Sequence, residues 1–232
     1  MNLKNKTAIV TGVSRGIGRS IVDVLLQKGA KVTGWGRKDP KIENKNFLFV
    51  KMDIRFPEQV KKGLAKTSKF FGGTFDILIN NSGLGYFGKI DEMSDTQWYE
   101  MFDTNVHGIF YCCRNIVPLM KKNNKGHIVN ISSIAGKIGM EEGAGYCGTK
   151  FAVRGISEAL FKELRKYGIK VTCIFPGSVN TSFFDNIQSV TANELMLTPQ
   201  EVAKCVLDVL EADKNSHVTE VELRPFNVKG KM

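Results

Sequence analysis

The chain has no apolar run long enough to span a bilayer, and its N-terminus, MNLKNKTAIVTG, has neither an extended apolar core nor a cleavage site. A membrane anchor and a secretory leader are therefore not expected, and a cytoplasmic location is. Prolines number only six, no Pro/Ser-rich linker divides the chain, and there is no internal repeat. The five cysteines, at 112, 113, 147, 173 and 205, show no CxxC or Cys/His ligand spacing, which favours reduced thiols over a metal site. The three histidines, His107, His127 and His217, are isolated and read as structural. Acidic residues are the minority charge, leaving a net +10, but the lysines are scattered and the densest group, KKNNKG at 121–126, reads as a solvated loop. Nucleic acid is not the expected partner. A phosphate-rich cofactor or an acidic carrier suits the sign of the charge.

The 232 residues, with 42% hydrophobic and 24% charged, suit a single packed α/β domain spanning 1–232. Short β-branched or apolar runs at 7–12, 31–36, 46–54, 75–83, 126–133, 169–177 and 219–225 read as strands. Between them, helical spacing marks 16–29, 57–71, 95–122, 146–168 and 198–212, with Pro57 and Pro199 suited to first turns and Thr198 to an N-cap. Such alternation makes parallel βαβ units, and runs such as FDILIN suggest burial on both faces. The expected architecture is a doubly wound, Rossmann-like parallel sheet of about seven strands, with ligands bound beyond the strands' carboxyl ends.

TGVSRGIG, residues 11–18, follows the first strand and opens the first helix. Gly12 and Gly16 leave room for a phosphate to approach the backbone, the helix N-terminus supplies free N–H groups, and Gly18 lets the helix pack close to the sheet. Strand two ends in GWGRK, where an acidic residue would bind a free ribose 2′-hydroxyl. None is there. Arg37, with Arg15, is suited instead to a 2′-phosphate, so NADP(H) is expected over NAD(H).

TGVSRGIG, NNSG at 80–83, Asn105, ISS at 131–133, YCGTK at 146–150 and PGSVNT at 176–181 occur in one order. Together they resemble the short-chain dehydrogenase/reductase family over residues 3 to 225. The resemblance implies a catalytic Ser133, Tyr146, Lys150 and Asn105, the spacing to the tyrosine selecting Ser133 over Ser132. It implies cofactor contacts from Gly12, Ser14, Arg15, Gly16, Ile17, Gly18 and Arg37, and adenine contacts from Asp53 and Ile54. Asn80, Ser82 and Gly83 would lie beside the cofactor with Tyr146 and Lys150, and Pro176, Gly177, Val179 and Thr181 near the nicotinamide amide. Serine at 82 replaces the family's usual alanine.

Tyr146 and Lys150, four apart, share one helical face. A free phenol ionises near pH 10, and a nearby ammonium is expected to lower that value. The implied reaction moves hydride between nicotinamide and a carbonyl or secondary alcohol, with Tyr146 exchanging the proton, Ser133 binding the oxygen, and Lys150 and an Asn105-held water relaying protons. Small residues at 147 and 148 are expected to permit close approach by cofactor or helices.

The substrate loop is expected at 182–197, where Phe183, Phe184, Ile187 and Met196 would cover an apolar pocket completed by 84–88 and 137–141. The family resemblance extends to 3-oxoacyl-[acyl-carrier-protein] reductases, although the tail TEVELRPFNVKGKM lacks their usual Gly-Gly. A serine-type 3-hydroxy acid dehydrogenase, with Glu141 or Glu142 meeting an ammonium, is a further alternative. A non-catalytic dinucleotide-binding regulator is the reading from another class. The resemblance also implies a homo-oligomer, tetramer or dimer, built through 95–122 and 146–168.

Overall fold

The computed structural model describes residues 1–183 and 193–226. Seven parallel strands form one sheet in the order β3-β2-β1-β4-β5-β6-β7: β1 Thr7–Thr11, β2 Lys31–Gly36, β3 Phe47–Lys51, β4 Ile77–Asn80, β5 Gly126–Ile131, β6 Ile169–Pro176 and β7 Glu220–Leu223. This is the doubly wound, Rossmann-like arrangement. The strand order reverses between β1 and β4, which opens a crevice at their carboxyl ends.

Two apolar layers explain the strands' lack of alternation. On one face, Ile9, Leu78, Ile128 and Phe175 pack with Val60 of α2 (Pro57–Phe71), Ile116 of α4 (Gly108–Lys122), and Val153 and Leu164 of α5 (Ala144–Leu164). On the other, Val10, Ile79, Val129 and Ile174 meet Ile21 and Leu25 of α1 (Gly16–Gln27), and Val206 and Leu210 of α6 (Pro199–Glu211). Each central strand thus buries both sets of side chains, as a parallel sheet requires. Thr198 caps α6 in a reciprocal capping box with Glu201, ahead of Pro199.

The helical region 95–122 is not continuous. α3 (Asp95–Phe102) passes into one π-helical stretch, Asp103–His107, before α4 begins. Helical periodicity alone did not signal this bulge, which holds Asn105 buried. No helix among the described residues is long and apolar enough to cross a membrane, and no group of His, Cys, Asp and Glu there could hold a metal. Phe110 on α4 and Phe151 on α5 are exposed, on the two helices expected to meet another copy.

His127 and His217 lie at the opposite end of the sheet from the crevice. The Thr172 hydroxyl donates to the Val218 carbonyl at 2.6 Å, so it accepts from His127 Nε2 at 2.9 Å. That leaves Nδ1 of the buried His127 unpartnered and unprotonated. Burial, with the charges of His217, Lys170 and the N-terminus, pulls its pKa from 6.5 to about 3. Below pH 6.5 the unfolded chain therefore takes up a proton that the folded chain refuses. Stability should fall by about 2 kcal/mol between neutrality and about pH 5, above the range where carboxylates titrate. Urea unfolding across that window should show the slope, and His127→Gln should flatten it. An unchanged slope in the variant would rule out His127 as its source.

Candidate active site

A cleft of about 1010 Å³ runs across the carboxyl ends of the strands. Its floor at β1 is the turn carrying Gly12, Ser14, Arg15, Gly16 and Ile17, all of which line it. Gly12 and Gly16 have φ of 73° and 58°, a region that L side chains rarely occupy. Arg15, the extended residue before α1, offers no side-chain cap, so the helix N-terminus faces the cleft uncapped by it. Gly18 does not line the cleft. It is buried, and a Cβ there would stand 2.1 Å from the Gly12 carbonyl oxygen and 2.4 Å from Asn81 Nδ2. Its role is the close helix–sheet packing expected of it.

Arg37 at the end of β2 lines the cleft with Lys38 and Asp39. Asp53 and Ile54, beyond β3, line it next, together with Arg55. Burial acts to raise the Asp53 pKa, but hydrogen bonds and charge from Arg55, with Arg37 adding its field, hold the carboxyl below the usual range.

After β4, Asn81, Ser82 and Gly83 line the cleft, and Asn80 does not. Asn80 is the last residue of the strand and its side chain is buried in the sheet, where Nδ2 donates to Asn130 Oδ1 at 2.8 Å. Asn130 in turn donates to Ser157 Oγ at 2.8 Å. The structure thus brings Asn81, rather than the expected Asn80, to the cleft. Asn81 ties the glycine turn down, donating from Nδ2 to the Thr11 and Gly12 carbonyls at 3.0 and 3.1 Å. Strand alternation holds the signal: the asparagine pair must split between sheet interior and turn.

Of the four residues expected to be catalytic, Ser133, Tyr146 and Lys150 line the cleft together. Ser133 Oγ accepts from the Ala135 amide at 3.2 Å. Ser132 lines the cleft as well, but its hydroxyl donates to the Lys150 carbonyl at 3.1 Å. Lys150 lines the cleft, with Nζ donating to the Ile131 carbonyl at 3.1 Å and lying 5.7 Å from the Tyr146 ring centroid. Asn105 stays behind the wall. Its Oδ1 accepts from the Leu84 amide at 3.0 Å, and its Nδ2 donates to the Leu84 carbonyl at 2.8 Å and to Thr149 Oγ1 at 3.0 Å. A Cβ on Gly83 would lie 3.3 Å from Asn105 Oδ1 and 3.5 Å from Lys150 Nζ, so the glycine keeps that corner open.

Two expectations about YCGTK change. The Tyr146 pKa is not lowered: burial pushes it up to about 12, with the Ser133 hydrogen bond opposing. Burial likewise pulls Lys150 down to about 8. Both groups are desolvated, and burial is the largest cause of each shift. Nor do the residues between them serve mainly to leave room. A Cβ on Gly148 would meet Phe102 at an ordinary 3.8 Å. Thr149 carries the function that spacing did not reveal. Its buried hydroxyl donates to the Tyr146 carbonyl at 2.8 Å while accepting from Asn105, joining the helix to the opposite wall.

Pro176, the last residue of β6, and Gly177, Val179 and Thr181 beyond it line the cleft. The Thr181 methyl would stand 3.2 Å from a Cβ on Gly16, so this segment faces the glycine turn directly. Leu84, Phe87 and Phe183 pack in one cluster with Tyr146, and Met140 and Glu141 also line the cleft. The rings of Phe87 and Phe183 stand 5.2 and 5.6 Å from that of Tyr146. Of the expected substrate loop, Phe184 and Ile187 lie outside the described residues, and Met196 does not line the cleft.

Residues 6–191 match the family described as short chain dehydrogenase. The chain belongs to that family. An oxidoreductase of Staphylococcus aureus (strain MRSA252), itself uncharacterized, is 35% identical over 230 residues, covering 96% of this chain and 98% of its own. Among solved structures, Escherichia coli serine dehydrogenase is 29% identical with a TM-score of 0.83, covering 94% of this chain and 97% of that one. An alcohol dehydrogenase from the archaeon Thermococcus sibiricus, complexed with 5-hydroxy-NADP, is 25% identical with a TM-score of 0.86, covering 99% and 100%. This short-chain dehydrogenase shares their fold along nearly its whole length.

Proposed function

We propose that the protein is an NADPH-dependent reductase of apolar carbonyl compounds, running in reverse as a secondary-alcohol dehydrogenase. The observation that carries this reading is that Tyr146, Ser133 and Lys150, the last one helical turn from the tyrosine, line one glycine-cradled cleft together. The residues present fit a dinucleotide. The Gly12–Gly16 turn and the α1 N-terminus would hold the diphosphate, Asp53 and Ile54 the adenine end, and Ser82, Gly83 and Lys150 the nicotinamide end. When bound, the cofactor supplies the hydride chemistry.

The chain's own residues orient and protonate. Ser133 fixes the substrate oxygen, and its hydroxyl stabilises the negative charge that develops there. Tyr146, kept protonated by burial, gives that oxygen its proton. Lys150 remains beside the phenol as the proton's onward neighbour. Phe87, Met140 and Phe183 exclude water and favour an apolar substituent on the carbonyl.

Arg15 and Arg37 support the preference for the 2′-phosphorylated cofactor, both lining the cleft at the β1 and β2 ends. Arg37→Ala should weaken NADPH binding by about tenfold, the worth of one charge-assisted contact, while NADH binding stays level. Nicotinamide fluorescence titration measures both, and equal losses for the two cofactors would defeat the assignment.

Glu141 favours a second reading. It lines the cleft, whereas Glu142 does not, and the Glu142 carbonyl accepts from the Gly88 amide at 2.8 Å. A carboxylate there suits a substrate ammonium, as a serine-type 3-hydroxy acid would present. Oxidation of NADPH with ketones, aldehydes and a 3-oxoacyl thioester, beside reduction of NADP+ with serine-type 3-hydroxy acids, separates the readings. Turnover confined to the amino acids would replace the apolar-carbonyl assignment with the second one.

A further inference from the structure

A chain of polar side chains joins the two ends of the cleft, and the proposed reaction uses none of its contacts. Arg55 Nη2 donates to Asp53 Oδ2 at 2.8 Å, and Nε to the same carboxylate at 3.0 and 3.2 Å. Its Nη1 donates to Glu100 Oε1 at 3.0 Å. The other Glu100 oxygen accepts the Tyr86 hydroxyl at 2.7 Å. Asp53 and Arg55 line the cleft beyond β3, and Glu100 lies on α3. Tyr86 belongs to the segment between β4 and α3 that packs on Tyr146 and Met101.

This segment has little stiffness of its own. Gly85 and Gly88 flank Tyr86–Phe87, and Gly88 has a φ of 156°. Gly85 sits so close to the reacting phenol that a Cβ there would stand 2.9 Å from Tyr146 Cδ2 and 2.8 Å from Phe183 Cζ. Asn105 clamps Leu84 on the N-terminal side. On the other side the Tyr86 backbone amide meets Met101 Sδ at 3.3 Å, and the hydroxyl is held by Glu100. The acceptor is a carboxylate held in place by a guanidinium, so the Tyr86 hydrogen bond is charge-assisted and directional.

We propose that Arg55, Glu100 and Tyr86 are positioning residues that hold the 84–87 wall against Tyr146, anchoring it to the arginine that shapes the far end of the cleft. The wall then has clamps on both sides of Gly85. Phe87 is presented to the substrate at a fixed distance from the phenol.

The kinetic consequence rests on the carbonyl-reductase reading; the structural one does not. Tyr86→Phe removes only the hydroxyl. Hydrogen exchange of the amides in 84–88 should quicken by about tenfold in that variant, while β5 is unchanged. With a ketone substrate, KM should rise by about tenfold with kcat and NADPH affinity unchanged. Adding Arg55→Met to Tyr86→Phe should raise KM less than Arg55→Met does alone, because the tie is already cut. Unchanged exchange in 84–88 overturns the proposal whether or not any carbonyl is reduced. Faster exchange with an unmoved KM also overturns it, since the tie would then be structural only. Faster exchange in a protein that reduces no carbonyl supports the tie and refutes the reductase reading.

Discussion

Tyr146→Phe should lower carbonyl reduction by about 10²- to 10⁴-fold, the usual worth of a positioned general acid, while NADPH binds nearly as before. The substitution removes the proton donor but keeps the ring that packs between Phe87 and Phe183. Steady-state rates beside a cofactor titration separate the two effects. Retained turnover would refute the assignment, and loss of both activities would point to collapse of the wall. The pH dependence follows from the same burial. With its pKa pushed up to about 12, Tyr146 is the protonated acid throughout the neutral range. Its contribution to reduction should therefore stay level there and decline only as pH nears that value. Alcohol oxidation needs the phenolate and should rise with pH over the same interval. Rates in both directions across pH would expose a lowered phenol pKa as a fall in reduction near neutrality.

Gly18→Ala should be the most damaging single methyl in the glycine turn. The added carbon would fall 2.1 Å from the Gly12 carbonyl oxygen and 2.4 Å from Asn81 Nδ2. Neither is a flexible chain end: one is backbone of the turn, and the other is the amide that holds the turn to β4. Helix α1 must back away from the sheet, at a cost of about 3 kcal/mol. For a chain of this size that lowers the melting temperature by about 10 °C. The same movement spreads the phosphate cradle, so NADPH affinity should fall with it. Gly73→Ala is the control, because a Cβ there meets nothing within 4 Å. Equal melting temperatures for the two variants would show that the turn relaxes freely around Gly18.

The elements and their order were legible because their causes are local. Strand runs, helical spacing, Pro199 and Thr198 at the start of α6, and glycines between β1 and α1 each act within a few residues. The family motifs could be placed in order along the chain, and of the site residues that the resemblance implied all but three line the cleft. The exceptions are Gly18, Asn80 and Asn105. Gly18 was assigned a packing role from its position. Asn80 faces into the sheet because β4 runs through it and its side chain finds Asn130 on the next strand. Asn105 reaches across to Leu84 and Thr149 from a π-helical bulge that periodicity read as uniform helix.

The pattern YCGTK placed a tyrosine and a lysine on one helical face, because a spacing of four is a property of the helix alone. The direction of their pKa shifts could not be read the same way. Desolvation is imposed by everything packed around a group, here Met101, Phe87 and Phe183 on Tyr146 and the end of β5 on Lys150. The same holds for Thr149, whose hydroxyl found its second partner 44 residues away in sequence. Arg55, Glu100 and Tyr86, distant along the chain, likewise become one tie only when β3, α3 and the β4–α3 segment meet. Local sequence decided which backbone shapes form. Tertiary packing decided which polar groups lose water and which partners they gain, because both depend on atoms brought together from remote parts of the chain.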